Sequence, residues 1–172
     1  MRKIEVKSGR LVQGVKPMII LKKQLMVLIL QFFAISFAYS ADVSTEQSKV
    51  LDIIKEAENY IKTHGKEKAI LEFKKKFARI FMCDYSGNFY LSPLHPELIG
   101  PNQFNYKDDS GAFPVQEEIE QAKAGGGWLK PRWRKDPEKG KYQCRKIYVL
   151  PIPGDYLIGS WYNYPPNKNG DC

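Results

Sequence analysis

The chain has 172 residues, 43% of them hydrophobic, with 27 Lys/Arg against 19 Asp/Glu and a formal net charge of +8. Seven of the basic residues and one acid lie in the first 40 positions, so the remaining 132 residues carry 20 against 18, a net of +2. A nearly neutral body excludes the broad basic surface that nucleic-acid binding requires, and its length is that of one domain able to bury its own core.

The N-terminal stretch reads as an export signal. Lys22 and Lys23 precede an apolar run over 25–37, and Ala38-Tyr39-Ser40 follows with small residues at the −3 and −1 positions of a cut before Ala41. Charged flank, short apolar centre and small-residue exit are the parts of a secretory signal peptide. Residues 1–40 are therefore expected to be removed, with 1–17 an over-extended start ahead of Met18. An uncleaved anchor is the alternative, but 13 residues fall short of the ~20 a spanning helix needs. No second apolar segment follows, so the mature chain is expected to be periplasmic or secreted, with no stable membrane span.

Residues 44–62 predict a helix, because Val50, Ile53, Ile54, Ala57 and Ile61 form one apolar stripe. Ser44 with Gln47 suits a capping box, and Gly65 suits a left-handed stop. A second helix is expected over 66–77, with Ile70, Phe73 and Phe77 inward and Lys74–Lys76 solvated. Residues 79–84 and 89–92 predict a hairpin about the Tyr85-Ser86-Gly87-Asn88 turn. The 17 residues from His95 to Gly111 are irregular, and loops of that length are often functional. A short helix follows over 115–124, with Val115, Ile119 and Ala122 inward.

The last third predicts three antiparallel strands, over 128–134, 142–150 and 156–164, cut by Gly, Pro and Asp. Cations and aromatics are densest there. The sum is an α+β domain: leading helices packed on a five-stranded antiparallel sheet, over residues 41–164, with a short tail at 165–172.

Three cysteines, Cys83, Cys144 and Cys172, fit no metal spacing. Cys83 and Cys144 in strands are expected as buried thiols, with a Cys144–Cys172 bridge the less favoured alternative. No nucleophile elbow and no phosphate-cradling glycine motif is visible. Gly125-Gly126-Gly127 follows a helix and reads as its stop. The sequence therefore implies no cofactor, no metal and no enzymatic activity.

The segments DYSGNFYLSPLHPELIG, NQFNYKDDSG, QEEIEQAKAGGGW, RKIYV and YLIGS, in that order, resemble a single Cache domain of the second type. That family supplies the extracytoplasmic ligand-sensing module of many bacterial chemoreceptors and sensor kinases. The resemblance covers about residues 45–164 and implies a long N-terminal helix on a PAS-like sheet. It also implies a pocket over the sheet for a small polar ligand, often a short organic acid, and a membrane-bound sensor as partner. Carried over by position, it implies Trp133 and Tyr148 as pocket walls, Trp128 beside them, and Arg145 at a lysine position of the family. His95 and Asn102 fall in the loop the family places near the pocket. Arg132 and Lys146 are further cations for a ligand carboxylate. Pro131 in place of a common Tyr, and Trp161 in place of a small Gly, depart from the pattern. The family's receptors continue into a membrane helix and signalling domains, whereas this sequence reads as a stand-alone domain. Two functions follow: a module binding a small polar metabolite, or an interaction protein whose pocket has degenerated and whose aromatic sheet face holds a partner.

Expressed in a Gram-negative host, the protein should reach the periplasm with Ala41 as its N-terminus. N-terminal sequencing of the periplasmic fraction checks this; an intact N-terminus in the membrane fraction would show an anchor.

Overall fold

In the computed structural model, residues 43–108, 110–135 and 140–172 are described. The signal peptide expected over 1–40, and its cleavage site, lie outside them. The described chain runs through helix α1 (43–64), helix α2 (Lys66–Lys76), strands β1 (Phe81–Asp84) and β2 (Phe89–Leu91), a 3-10 turn at Pro96–Leu98 and helix α3 (Pro114–Lys123). Strands β3 (Gly127–Trp128), β4 (Arg132–Lys135), β5 (Tyr142–Ile152) and β6 (Tyr156–Tyr164) close it. The sheet is antiparallel and ordered β2-β1-β6-β5-β3, with β4 also pairing β5. The fold is the expected α+β arrangement of helices on a PAS-like sheet.

Six strands stand among the described residues where five were expected, because the strand predicted over 128–134 is broken. Pro131 has no N–H to offer a ladder. Trp128 still pairs Tyr148, and Arg132 resumes pairing opposite Arg145. Between them, the Leu129 N–H reaches the Ile147 carbonyl at 2.9 Å.

Each sheet face has its own core. Ile54, Ala57 and Ile61 of α1, and Ala69 and Phe73 of α2, pack on Met82, Leu91, Ile152 and Ile158. The first predicted stripe thus faces the sheet as its period requires. Val43 is already helical, so Ser44 is not the helix cap, and Gln47 instead donates to the Tyr162 hydroxyl at 3.0 Å. Lys74–Lys76 are exposed as expected, and Lys76 pairs with Glu56 of α1 at 2.8 Å. On the opposite face, Val115, Ile119 and Ala122 of α3 meet Phe81, Cys83, Phe89, Val149, Leu157 and Trp161. Pro114 opens α3 at a position where its missing N–H costs nothing.

The cysteine expectation is corrected. Cys144 is joined to Cys172, with Cα atoms 5.4 Å apart, and only Cys83 is a free, buried thiol among the described residues. The pairing depends on the tail turning back along the sheet, which strand patterning does not reveal. Trp133 Nε1 donates to the Gly170 carbonyl at 3.1 Å, and the Tyr164 hydroxyl donates to that of Cys172 at 2.8 Å. Residues 165–172 are thereby stapled to β4, β5 and β6.

Ile54 is 3% exposed at the centre of the α1 contact. Ile54→Asp places an unpaired charge there and should lower stability by about 3 kcal/mol or more. Chemical denaturation measures it; an unchanged midpoint would mean that this stripe does not pack on the sheet.

Candidate functional site

The face of the sheet opposite α1 and α2 carries a row of aromatic side chains that ends in a cation. Phe89, Phe81 and Trp161 stand side by side from β2, β1 and β6, with successive ring centroids 6.2 Å apart. The Arg145 guanidinium of β5 lies over the Trp161 ring at 5.4 Å, within cation–π range. Gly159 makes the row possible: a Cβ there would come within 2.1 Å of the Phe81 ring. Over this floor lies a cavity of about 590 Å³, roofed by α3 through Pro114, Val115 and Glu118, and by Ser92, Leu94, His95, Leu98 and Tyr106 of the long loop. That volume suits a small-molecule ligand.

The loop is tied down at its middle and near its C-terminal end. Asn102 donates through Nδ2 to the Ser86 carbonyl at 2.7 Å and to Asn88 Oδ1 at 2.9 Å. The Gln103 N–H reaches the Gly87 carbonyl at 2.9 Å. Gly87 has φ +88, and a Cβ there would meet the Phe104 backbone at 2.6 Å, so loop and hairpin turn touch without an intervening side chain. Near the C-terminal end Asp108 is the anchor. It accepts from Arg134 at 2.5 Å and from the Ser110 hydroxyl at 2.6 Å, with Arg132 at 3.7 Å; Arg132 also pairs closely with Glu117 of α3. Burial would push the Asp108 carboxyl up. Hydrogen bonds from Ser110, Arg134 and the Ala112 N–H outweigh it and hold the group well below the usual carboxylate range.

Glu118 has the opposite fate. Its side chain is buried in the cavity roof, and burial pushes its carboxyl up to about 8 although Arg134 and Arg145 pull the other way. Burial thus favours its neutral form. Arg145 itself is 8% exposed, and its Nε donates to Asn163 Oδ1 on β6 at 2.9 Å.

Of the residues singled out from the sequence, Arg145, His95 and Trp133 lie on the cavity lining. His95 is bonded through Nδ1 to Glu97 at 2.9 Å. Trp133 is 45% exposed, with its indole N–H spent on the tail. Arg132 borders only a small space of about 10 Å³ behind the cavity. Asn102 is a loop fastener away from the lining. Tyr148, expected as a pocket wall, and Trp128 and Lys146, expected beside it, are on the other side of the sheet from this cavity. Trp128 packs edge-on to Tyr148 at 5.2 Å and to Tyr162 at 5.8 Å, and Lys146 Nζ stands 5.3 Å from the Trp128 ring. Arg145 and Tyr148 are an odd number of strand positions apart, so they cannot share a face. Trp128 pairs Tyr148 and Arg132 pairs Arg145, so the Leu129–Pro131 break resets the alternation. Phe81, Phe89, Asp108 and Glu118 were missed. Glu118 had a signal: it falls on the Val115, Ile119, Ala122 stripe, where a carboxylate is out of place. Asp108 had a weaker one, an Asp two residues before Ser110 and three before Gly111, the pattern of an Asx turn.

A family description, Single Cache domain 2, matches residues 21–160. The chain belongs to that family. Cache domains are sensory modules that bind small molecules outside the cytoplasm and serve signal transduction. Solved structures show the same fold. A methyl-accepting chemotaxis protein from Vibrio parahaemolyticus superposes with a TM-score of 0.61 at 17% identity, covering 74% of this chain and 95% of that one. A periplasmic sensor domain of a chemotaxis protein gives 0.61 at 16%, covering 70% and 96%. A Cache chemosensory domain described for carboxylic acid recognition gives 0.51 at 20%, covering 77% and 95%. No curated protein matches the chain. Among the described residues no helix is long and apolar enough to cross a membrane.

Because the carboxyl of Asp108 is held below its unfolded value, its contribution to stability is complete above about pH 4 and lost as pH falls. Asp108→Asn should therefore cost about 1.5–3 kcal/mol at pH 7, the worth of a hydrogen bond to a charged group. The difference from wild type should shrink between pH 4 and pH 2. Urea denaturation across that range reads it; a constant difference would mean that Asp108 acts through packing alone.

Proposed function

We propose that the exported chain binds a small carboxylate in the cavity between β5, β6, α3 and the 92–111 segment, as a sensing or binding module without chemistry of its own. The observation that carries this reading is the Arg145 guanidinium, buried against Trp161 and facing a cavity of about 590 Å³. A cation in a partly dry site attracts an anion with little screening, and its planar fork suits a carboxylate. Phe81, Phe89 and Leu98 offer the apolar body of such a ligand a surface to cover. The similar fold described for carboxylic acid recognition supports the same ligand class. In the resting mature form, residues 41–164 make the sensory domain and 165–172 its stapled tail. A membrane-bound sensor is the partner that would carry its signal.

The other reading, an interaction protein with a degenerate pocket, fits less well. Trp161 stands as a wall of the cavity and leaves it open rather than filling it. Exposed Trp133 and Tyr142 are the observation in its favour, and both lie beside the stapled tail.

A thermal-shift screen of short mono- and dicarboxylates should find stabilising ligands. Arg145→Ala should then weaken binding by about ten- to a hundredfold, the loss of roughly 1.5–3 kcal/mol. Arg132→Ala, whose side chain pairs with Glu117 and Asp108 outside the cavity, serves as the comparison and should weaken binding less. Wild-type affinity in Arg145→Ala would remove this site.

A further inference from the structure

Glu118 has no part in the reading above, yet it is a buried acid that lines the same cavity as Arg145. It occupies the inward stripe of α3 between Val115 and Ile119, at 7% exposure. It lines both the main cavity and the small space behind it, and Arg134 and Arg145 line both with it. The charged and titratable groups around it come from every packed element. They are Lys130 ahead of β4, Arg132, Arg134 and Lys135 on β4, Arg145 on β5, His95, Glu97 and Asp108 from the loop, Cys83 on β1, and Glu117 on its own helix. Most of these are already matched. Asp108 holds Arg134 and stands near Arg132, Glu117 holds Arg132, and His95 is bonded to Glu97. Cys83 is a buried thiol whose ionisation burial suppresses further.

An anion entering beside Arg145 thus meets a second carboxyl group in the same dry space. Two carboxylates sharing one site cannot both stay ionised without a large penalty, so one takes up a proton. The neutral acid then has an O–H to donate, and O–H to carboxylate is among the strong hydrogen bonds.

We infer that Glu118 is the specificity-determining residue of this cavity: as the neutral acid it donates its O–H to the carboxylate held by Arg145, and as the carboxylate it excludes that ligand. This rests on the carboxylate reading of the site. The proton balance is simple. Below the titration of Glu118 the ligand anion binds alone. Above it, each bound anion brings one proton from solvent, which stays on Glu118. The high titration point that burial gives Glu118, about 8, puts the change within an accessible range.

The test uses acetate and lactate as probes, titrated calorimetrically into the wild-type protein at pH 6, 7, 8 and 9 in pairs of buffers of different ionisation heat. Affinity should be level from pH 6 to 7 and fall above pH 8 by a factor approaching ten per unit, with about one proton taken up per ligand at pH 9. Glu118→Gln, permanently neutral, should lose that fall, and the proton uptake should vanish with it. Equal wild-type affinity at pH 6 and 9, or no proton uptake at pH 9, overturns the inference while leaving a carboxylate site in place. A pH profile that persists in Glu118→Gln also overturns it. Failure of both probes to bind wild type at pH 6 removes the carboxylate reading and this inference together. Should Glu118→Gln not fold, the proton uptake of the wild type decides alone.

Discussion

The two-residue alternation of the β5–β6 ribbon governs this domain. Arg145 stands opposite Asn163, Ile147 opposite Trp161 and Val149 opposite Gly159, all toward α3 and the cavity. The intervening pairs, Cys144 with Tyr164, Lys146 with Tyr162 and Tyr148 with Ser160, look toward the leading helices and the tail. A slip of one residue would exchange the two sets. It would bury Lys146 in the cavity floor and push Arg145 under α1. The register is held by the large apolar groups of both faces, since Leu157 and Ile158 are both fully buried, one on each side.

The cavity exists because polar anchors hold its roof off its floor. Asn102 and Gln103 bind the loop to the hairpin turn, and Asp108 binds it to β4. The arginines divide the work. Arg132 and Arg134 are matched by acids and act as structural cross-links between β4, the loop and α3. Arg145 is oriented by Asn163 and Trp161 and lines the cavity.

Membership of the Single Cache domain 2 family accounts for the architecture, and the two departures from the pattern have visible consequences. Pro131 breaks the strand after the glycine turn and splits it into β3 and β4. Trp161 replaces a small residue with a broad aromatic wall, against which both Phe81 and Arg145 are laid.

Local periodicity determined the elements. Three helices and their inward stripes, the first hairpin and the long closing strands all follow from spacing and turn residues within a few positions. The order of motifs determined the family. That a cation lines the cavity was legible too, since Arg145 stood with Arg132 and Lys146 among the candidate cations. What periodicity leaves open is which face of a strand meets which layer. For that reason Tyr148, Trp128 and Lys146 stood as candidates alongside Arg145, although the register puts them on the opposite face. Nor does it show a break that resets the phase, as Pro131 does, or a tail returning to pair Cys172 with Cys144. Only the tertiary structure decides these, because they depend on contacts between residues distant in the chain. Glu118 is the clearest case. Its place on an apolar stripe was readable, but its burial in one space with Arg134 and Arg145 arises only when α3, β4 and β5 come together and exclude water.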